Sequence, residues 1–348
     1  MSTQTTTSSG SVHPCRSEPR PGRSSWPHTV RSALAVAGVT AMLAGCGAAG
    51  STATTASTSA SAGITPSAPA ASPAAVLPRD VVAAPVRIAD TAAGAVGYRE
   101  VGTGSPILLA MGLSGSIDDW QPDFVATLAA AGHTVVAFDN AGVGRTAPLA
   151  TPLGITEMAN QASALISALR LGRTAVLGWS MGGMIAQALA VLHPAQVSRL
   201  VLAATQPGTG KALPIPAAAG AAAASSNPAT VLSVLFPPGQ AAAARTYAIG
   251  ILRYPGFYQA SPAVVADQGQ AARQWIAGQD RAGRQLGDIR IPVLVADGTQ
   301  DALDPVANDR ALADAVPGAK LILYPGAGHA FLFQDSASFL PAVLRFLG

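Results

Sequence analysis

The sequence predicts an α/β fold: a mostly parallel sheet with helices on both faces and an inserted helical cap. Three observations lead there. Short, continuously apolar runs recur from about residue 81 onward, each closed by a turn signal. Helix-like stretches separate most of them. The rhythm fails once, between Gln206 and Ile291, and then resumes. A strand buried on both faces has no polar side to show, so it reads as an unbroken apolar run. Such runs alternating with helices mean parallel strands joined by helical crossovers.

Residues 84–89 and 95–101 read as two strands joined by a Gly-containing turn. Strand-like runs follow at 106–111, 134–138, 174–179, 199–204, 292–296 and 320–324. Helices are expected at 119–131 and at 156–171, where Thr156 is the N-cap. Three more are expected: 181–192, ending before Pro194; 306–316, opened by Pro305; and 331–346. The stretch 207–290 has no strand-like spacing. It is rich in alanine and carries Phe236, Tyr247, Tyr254, Phe257, Tyr258 and Trp275. It is too long for one crossover, so it reads as a helical cap, and its aromatic content points to a mainly apolar substrate.

The 348-residue chain is 49% hydrophobic and 11% charged, which suits a well-buried domain and excludes a disordered one. Its net charge of +3 comes wholly from Arg16, Arg20, Arg23 and Arg31 against Glu18. The remainder is balanced, so nothing supports a nucleic-acid partner. Cys15 and Cys46 are its two cysteines, and both precede the folded region, leaving that region no disulfide and no thiolate metal site.

Residues 32–45, SALAVAGVTAMLAG, form an apolar run of signal-peptide length, too short to span a bilayer, with Arg31 just before it. The run ends in Leu43-Ala44-Gly45-Cys46, which resembles the lipobox of bacterial lipoproteins. That resemblance implies a signal peptide over 1–45 and lipidation of Cys46, with a diacylglycerol on its sulfur and an acyl chain, such as palmitate, on its amine. It also implies attachment to the extracytoplasmic face of the cell membrane through this lipid anchor. Residues 46–80 read as the lipidated cysteine and a disordered Ala/Ser/Thr/Pro linker, which as a random coil would span roughly 30 Å. The folded domain is expected over 81–348, with the cap at about 207–290.

The chemistry gathers at strand ends. Gly178-Trp179-Ser180-Met181-Gly182-Gly183 follows an apolar strand and opens a helix. A G-x-S-x-G string is weak by itself, but strand before and helix after make it a nucleophile elbow that lifts Ser180 above the sheet. A serine hydroxyl needs a base. Of the three histidines beyond the signal region, His133 falls at the wrong sheet edge and His193 a helix length away. His329 falls in a Gly-rich loop after the last strand and is the candidate base. A carboxylate must orient it. The strand at 292–296 runs into Asp297-Gly298-Thr299-Gln300-Asp301-Ala302-Leu303-Asp304-Pro305. Asp301, three residues after the turn glycine, is the candidate acid, with Asp304 next. The oxyanion hole is expected from the backbone N–H groups of Met181, after the nucleophile, and Leu113, in the loop after 106–111. The segment from Pro207 to Ala212 departs from a phosphate loop at both ends, and no His/Asp/Glu group has metal-ligand spacing. No cofactor and no metal are expected.

The order Ser180, Asp301, His329, with GWSMGG, FDNAGVGRT and GAGHA, resembles the α/β-hydrolase superfamily over roughly residues 85–348. The resemblance implies the α/β-hydrolase fold and a serine hydrolase acting on a small-molecule substrate. A carboxylic ester is the leading substrate class. Lactone, amide or C–C bond hydrolysis and cofactor-free perhydrolysis use the same triad, and a non-catalytic ligand-binding lipoprotein is the rival from another class. Two departures stand out: Met111-Gly112 replaces the usual His-Gly, and Asp139-Asn140-Ala141-Gly142 replaces Asp-x-Arg-Gly.

Overall fold

A computed structural model describes residues 75–256 and 258–348. Cys46, the signal segment and most of the expected linker lie outside the described residues. Helix α1 (Pro78–Ala83) lies partly inside the stretch read as linker up to residue 80. Pro78 suits a first helical position because its missing N–H has no partner there anyway. The Asp80 carboxylate accepts the Leu77 N–H at 2.8 Å, and Val81 is fully buried. Folded structure therefore begins ahead of the expected boundary at 81.

Eight strands follow: β1 (Arg87–Thr91), β2 (Gly94–Val101), β3 (Ser105–Ala110), β4 (His133–Phe138), β5 (Thr174–Trp179), β6 (Val197–Ala203), β7 (Val293–Gly298) and β8 (Lys320–Tyr324). They form one sheet in the order β1-β2-β4-β3-β5-β6-β7-β8. The β1–β2 and β2–β4 pairs are antiparallel and all others parallel. The parallel strands therefore place their C-terminal ends along one edge, which is where open α/β sheets bind ligands. Successive side chains point to opposite faces, and both faces are apolar: Ile107 and Leu109 of β3 join one core, Leu108 and Ala110 the other.

Helices cover the two faces: α2 (Pro122–Ala130), α3 (Ile155–Ala168), α4 (Met181–Leu192), and, after the cap, α9 (Val306–Ala315), α10 (Phe331–Gln334) and α11 (Ser336–Leu347). Two differ from expectation. The helix expected at 119–131 is a 3-10 turn, Ile117–Asp119, followed by α2, with Pro122 setting the new start. The helix expected at 331–346 is two, because Asp335 leaves helical geometry at φ −111°, ψ 33°.

Between β6 and β7 lie α5 (Ala217–Ala223), α6 (Pro228–Leu235), α7 (Ala241–Ile251), α8 (Pro262–Ile276) and a 3-10 segment, Ala282–Asp288. Alanine favours these helices, and caps begin two of them. Asn227 accepts the Ala229 N–H at 3.0 Å and Ser261 the Val264 N–H at 3.3 Å. Four aromatic residues of this segment also have a structural role. Phe236, Tyr247, Tyr254 and Trp275 are buried. The Tyr247 hydroxyl donates to the Asp119 carbonyl at 3.1 Å, the Tyr254 hydroxyl to Trp120 at 3.0 Å and Trp275 Nε1 to Gln206 at 3.2 Å. Through these bonds Tyr247, Tyr254 and Trp275 fasten the segment to the sheet domain. Among the described residues no helix is long and apolar enough to cross a membrane.

Candidate active site

Ser180 sits between the last residue of β5 and the first of α4, at φ 57°, ψ −125°. A non-glycine residue there is strained, by about 1–3 kcal/mol, and holds only when its surroundings over-determine it. They do. The Ser180 N–H donates to the Ala203 carbonyl at 2.9 Å, and the Ser180 carbonyl accepts the Gly183 N–H at 2.8 Å. A side chain on Gly178 would collide with the Gly182 carbonyl, and one on Gly182 with the Ala110 carbonyl. The turn closes only because both are glycine.

The loop after β3 packs on Ser180, the candidate nucleophile. A Cβ on Gly112 would lie 3.2 Å from the Ser180 Cβ. Asn140 Nδ2 donates to the Met111 carbonyl at 2.7 Å and ties this loop to the one after β4. Ala141, not Asn140, stands where an arginine is usual. Beside it, burial pushes the Asp139 carboxyl up to about 6, against the N–H groups of Ile117 and Arg145 that favour its charge. Among the described residues neither the Leu113 nor the Met181 N–H has an internal acceptor. Met181 is the first residue of α4, where the helix itself offers none.

His329 and Asp301 are brought together. His329 Nδ1 lies 2.6 Å from Asp301 Oδ2, and both side chains are almost wholly buried. The other oxygen, Asp301 Oδ1, accepts the N–H groups of Leu303 at 2.6 Å and Asp304 at 2.9 Å. The two loops are bound to each other through backbone: the Thr299 N–H donates to Tyr324 at 2.9 Å and the Gln300 N–H to Ala327 at 2.8 Å. Trp179, which the sequence did not single out, joins this pair to the elbow. Its Nε1 donates to the His329 carbonyl at 2.9 Å, and the two rings lie 5.8 Å apart. Among the described residues Ser180 Oγ makes no hydrogen bond, so it is not joined to His329 in this conformation. Such bonds commonly tighten only when substrate is present.

The other histidines have different partners. His133 Nδ1 pairs with the Ser105 carbonyl at 3.2 Å, at the opposite end of the parallel strands. His193 Nε2 meets Asn160 Oδ1 at 2.8 Å, and burial lowers its pKa.

Asp304 is not the partner of His329. Its Oδ1 accepts Asn308 Nδ2 at 2.8 Å, and burial together with the Asp301 charge pushes its carboxyl up to about 7. It belongs to a buried group with Asp297 and Asp309, whose carboxylate oxygens lie within 4.8 Å of one another. Burial and then the neighbouring Asp304 push Asp309 up to about 9; burial and then Asp301 push Asp297 well above the carboxylate range. Among the described residues this is the group close enough to hold a cation. Protons satisfy the same electrostatic demand, as the raised values indicate.

Comparison with known proteins agrees with this architecture. The family model Hydrolase_4, described as serine aminopeptidase S33, matches residues 106–336. A protein of Variovorax paradoxus named as a carbamate hydrolase, RutD, is 33% identical over 260 residues, covering 70% of this chain and 92% of the relative. A protein of Mycobacterium tuberculosis named as a non-heme bromoperoxidase, BpoC, is 29% identical over 259 residues, covering 72% and 96%. The solved structure of Est816, an N-acyl homoserine lactone degrading enzyme, superposes with a TM-score of 0.61 at 26% identity, covering 75% of this chain and all of that one. A sheet with this strand order and a strained serine at its elbow, matched over most of its length by such relatives, makes the chain a serine hydrolase of the α/β-hydrolase superfamily, in the Hydrolase_4 family.

Proposed function

We propose that this enzyme cleaves a carboxylic ester of a small to medium, mainly apolar substrate through an acyl-enzyme. Ser180 is the nucleophile, His329 the base, Asp301 the orienting acid, and the Leu113 and Met181 N–H groups the oxyanion donors. The observation that carries the reading is the 2.6 Å His329–Asp301 pair, tied through Trp179 to a serine held at positive φ. With Nδ1–H engaged by Asp301, His329 presents Nε2 as the free lone pair. Ser180 Oγ attacks the carbonyl carbon while Nε2 takes its proton. The oxyanion meets the two N–H groups, and the alcohol leaves with the proton from Nε2. Water then repeats the sequence and releases the acid. Val264 approaches Gly142 in the loop after β4, and Leu113, in the loop after β3, approaches Gly269 of the cap, so apolar side chains lie where the cap meets these loops.

The test is covalent. A fluorophosphonate should label the wild type at Ser180, and Ser180→Ala should lose labelling together with on the order of 10⁴–10⁶ in kcat. Activity within tenfold of wild type would overturn the nucleophile. A panel of esters, carbamates and lactones of matched size then ranks substrate classes. The lactone arm is the sharpest rival, because Est816 is described as degrading one.

The reading extends to the N-terminus: residues 1–45 are a lipoprotein signal peptide, Cys46 carries the lipid, and the linker holds the enzyme at the outer face of the cell membrane. The apolar run after Arg31 and the Leu43-Ala44-Gly45-Cys46 site support it.

A further inference from the structure

We infer that Gln268, on cap helix α8, is a positioning residue that sets the oxyanion loop, so that the cap's seating and the oxyanion hole are one device. The inference rests on the reading of Leu113 as an oxyanion donor. Gln268 is fully buried. Its Oε1 accepts the Ser114 N–H at 2.7 Å, and its Nε2 donates to the Ala141 carbonyl at 3.1 Å. One amide therefore bridges the loop after β3 and the loop after β4, from a helix more than a hundred residues away in sequence.

The bridge lands at a consequential point. Ser114 sits at φ 61°, a left-handed conformation that a serine seldom adopts unaided. The peptide unit between Leu113 and Ser114 ends in the N–H that Gln268 holds. Holding it restrains the Leu113 N–H, which lies one peptide unit earlier across the two rotatable bonds of Leu113. The neighbouring contacts press the same way: a Cβ on Gly269 would lie 3.6 Å from Leu113 Cδ1, and one on Gly142 would lie 2.9 Å from Val264 Cγ2. A second arm of the cap reaches the histidine loop, where the Leu235 carbonyl accepts the Ala330 N–H at 3.0 Å. The cap thus grips both the loop that holds the base and the loop that holds the oxyanion donor.

Glutamine is the residue type the site demands. The gap offers one N–H and one carbonyl, and a neutral amide answers both at once. Methionine has nearly the same shape and answers neither.

The experiment compares wild type, Gln268→Met and Gln268→Glu in the full chain, on an ester that the wild type turns over. Gln268→Met should lower kcat about 10–100-fold with KM changed less than threefold, less than the roughly 10²–10³-fold cost of losing an oxyanion donor outright, because the donor is misaligned and not removed. Its affinity for a boronic acid, which forms a tetrahedral adduct on serine, should fall by the same factor as kcat/KM. Amide hydrogen exchange in the peptide covering 111–116 should quicken. Gln268→Glu serves where the methionine variant does not fold. A protonated glutamic acid accepts from Ser114 and donates to Ala141, whereas its anion repels that carbonyl, so the ratio of variant to wild-type kcat should fall as pH rises. Equal boronate affinity in wild type and Gln268→Met, or a pH-independent ratio for Gln268→Glu, would overturn the proposal. A chain whose Ser180 takes no fluorophosphonate would instead overturn the underlying reading, whatever residue 268 does.

Discussion

Replacing Asp301 by asparagine changes one atom type and should remove most of the activity, for a reason visible in its hydrogen bonds. Asp301 Oδ1 faces two N–H donors, from Leu303 and Asp304. In Asp301→Asn only the amide oxygen can occupy that position, because an NH₂ group would confront both donors. The NH₂ is then forced toward His329 Nδ1, which the carboxylate oxygen approaches at 2.6 Å. Facing a donor, Nδ1 must be the unprotonated nitrogen, and the proton moves to Nε2. An imidazole in that tautomer cannot accept the Ser180 proton. The loss should be on the order of 10⁴ in kcat, as for other triads held in the wrong tautomer, which is about 5.4 kcal/mol of transition-state stabilisation. Asp304→Asn should stay within tenfold of wild type, because Asn308 donates to Asp304 and an amide oxygen accepts that bond equally well. Both variants should be assayed by kcat/KM on one chromogenic ester, with thermal melts as a folding control. A folded Asp301→Asn enzyme within tenfold of wild type, or an Asp304→Asn enzyme worse than it, would refute the tautomer argument.

Further outcomes follow from the buried acids and the N-terminus. Asp309 has a folded pKa of about 9 against an ordinary 3.8, so between those values the native state holds a proton that the unfolded chain has released. Its contribution to stability is complete below the ordinary value and is lost as pH rises through about 9. Asp309→Asn should therefore melt at or above the wild-type temperature near about pH 8 and fall less steeply with pH; parallel melting curves across that window would refute it. Cys46→Ser should abolish palmitate labelling and release the enzyme from the membrane fraction, since several acyl chains give durable anchoring. A wild-type chain that takes up no label in a lipoprotein-processing host would sink the lipobox reading and leave the catalytic one intact.

The parts of the site that were legible in the sequence are those built from short local patterns. An elbow needs glycine at both flanks because the backbone of the following turn and of β3 crowds them, and that demand leaves a G-x-S-x-G mark. Elimination among few histidines points to His329, and distance from a turn glycine to Asp301; the structure puts those two within hydrogen-bond reach. The continuous apolar strands were readable because both sheet faces are covered. What escaped was long-range. Nothing near Gln268 in sequence marks it as the partner of Ser114 and Ala141. The cap aromatics were visible as residues but not as anchors, since their hydroxyl and indole partners lie in distant loops. The break at Asp335 and the early start at Pro78 were missed because helix ends depend on a single residue's backbone, where pattern is weakest.

The buried carboxyl cluster explains why one acid at this sheet edge, and not another, serves the histidine. Asp297 lies at the end of strand β7, Asp301 and Asp304 lie in the turn after it, and Asp309 lies in the helix that follows. With Asp297, Asp304 and Asp309 within 4.8 Å of one another, each pair of anions would repel by roughly 3 kcal/mol at an effective dielectric of about 20. The fold sorts them by hydrogen bonding. Asp301 receives two backbone N–H groups and an imidazole. Among the described residues no donor outside the acid group reaches either carboxylate oxygen of Asp309, and one oxygen each of Asp297 and Asp304 is unpartnered as well. Desolvation therefore falls hardest on the acids with the fewest donors and drives protons onto them, and the charge of Asp301 adds to the push on Asp297 and Asp304. A ring of carboxyl groups held toward their neutral forms costs Asp301 little repulsion. It also leaves the negative charge where, in the proposed mechanism, the imidazolium forms. Placement of the charge is thus decided by which carboxylate the backbone solvates, and sequence spacing alone does not reveal that choice.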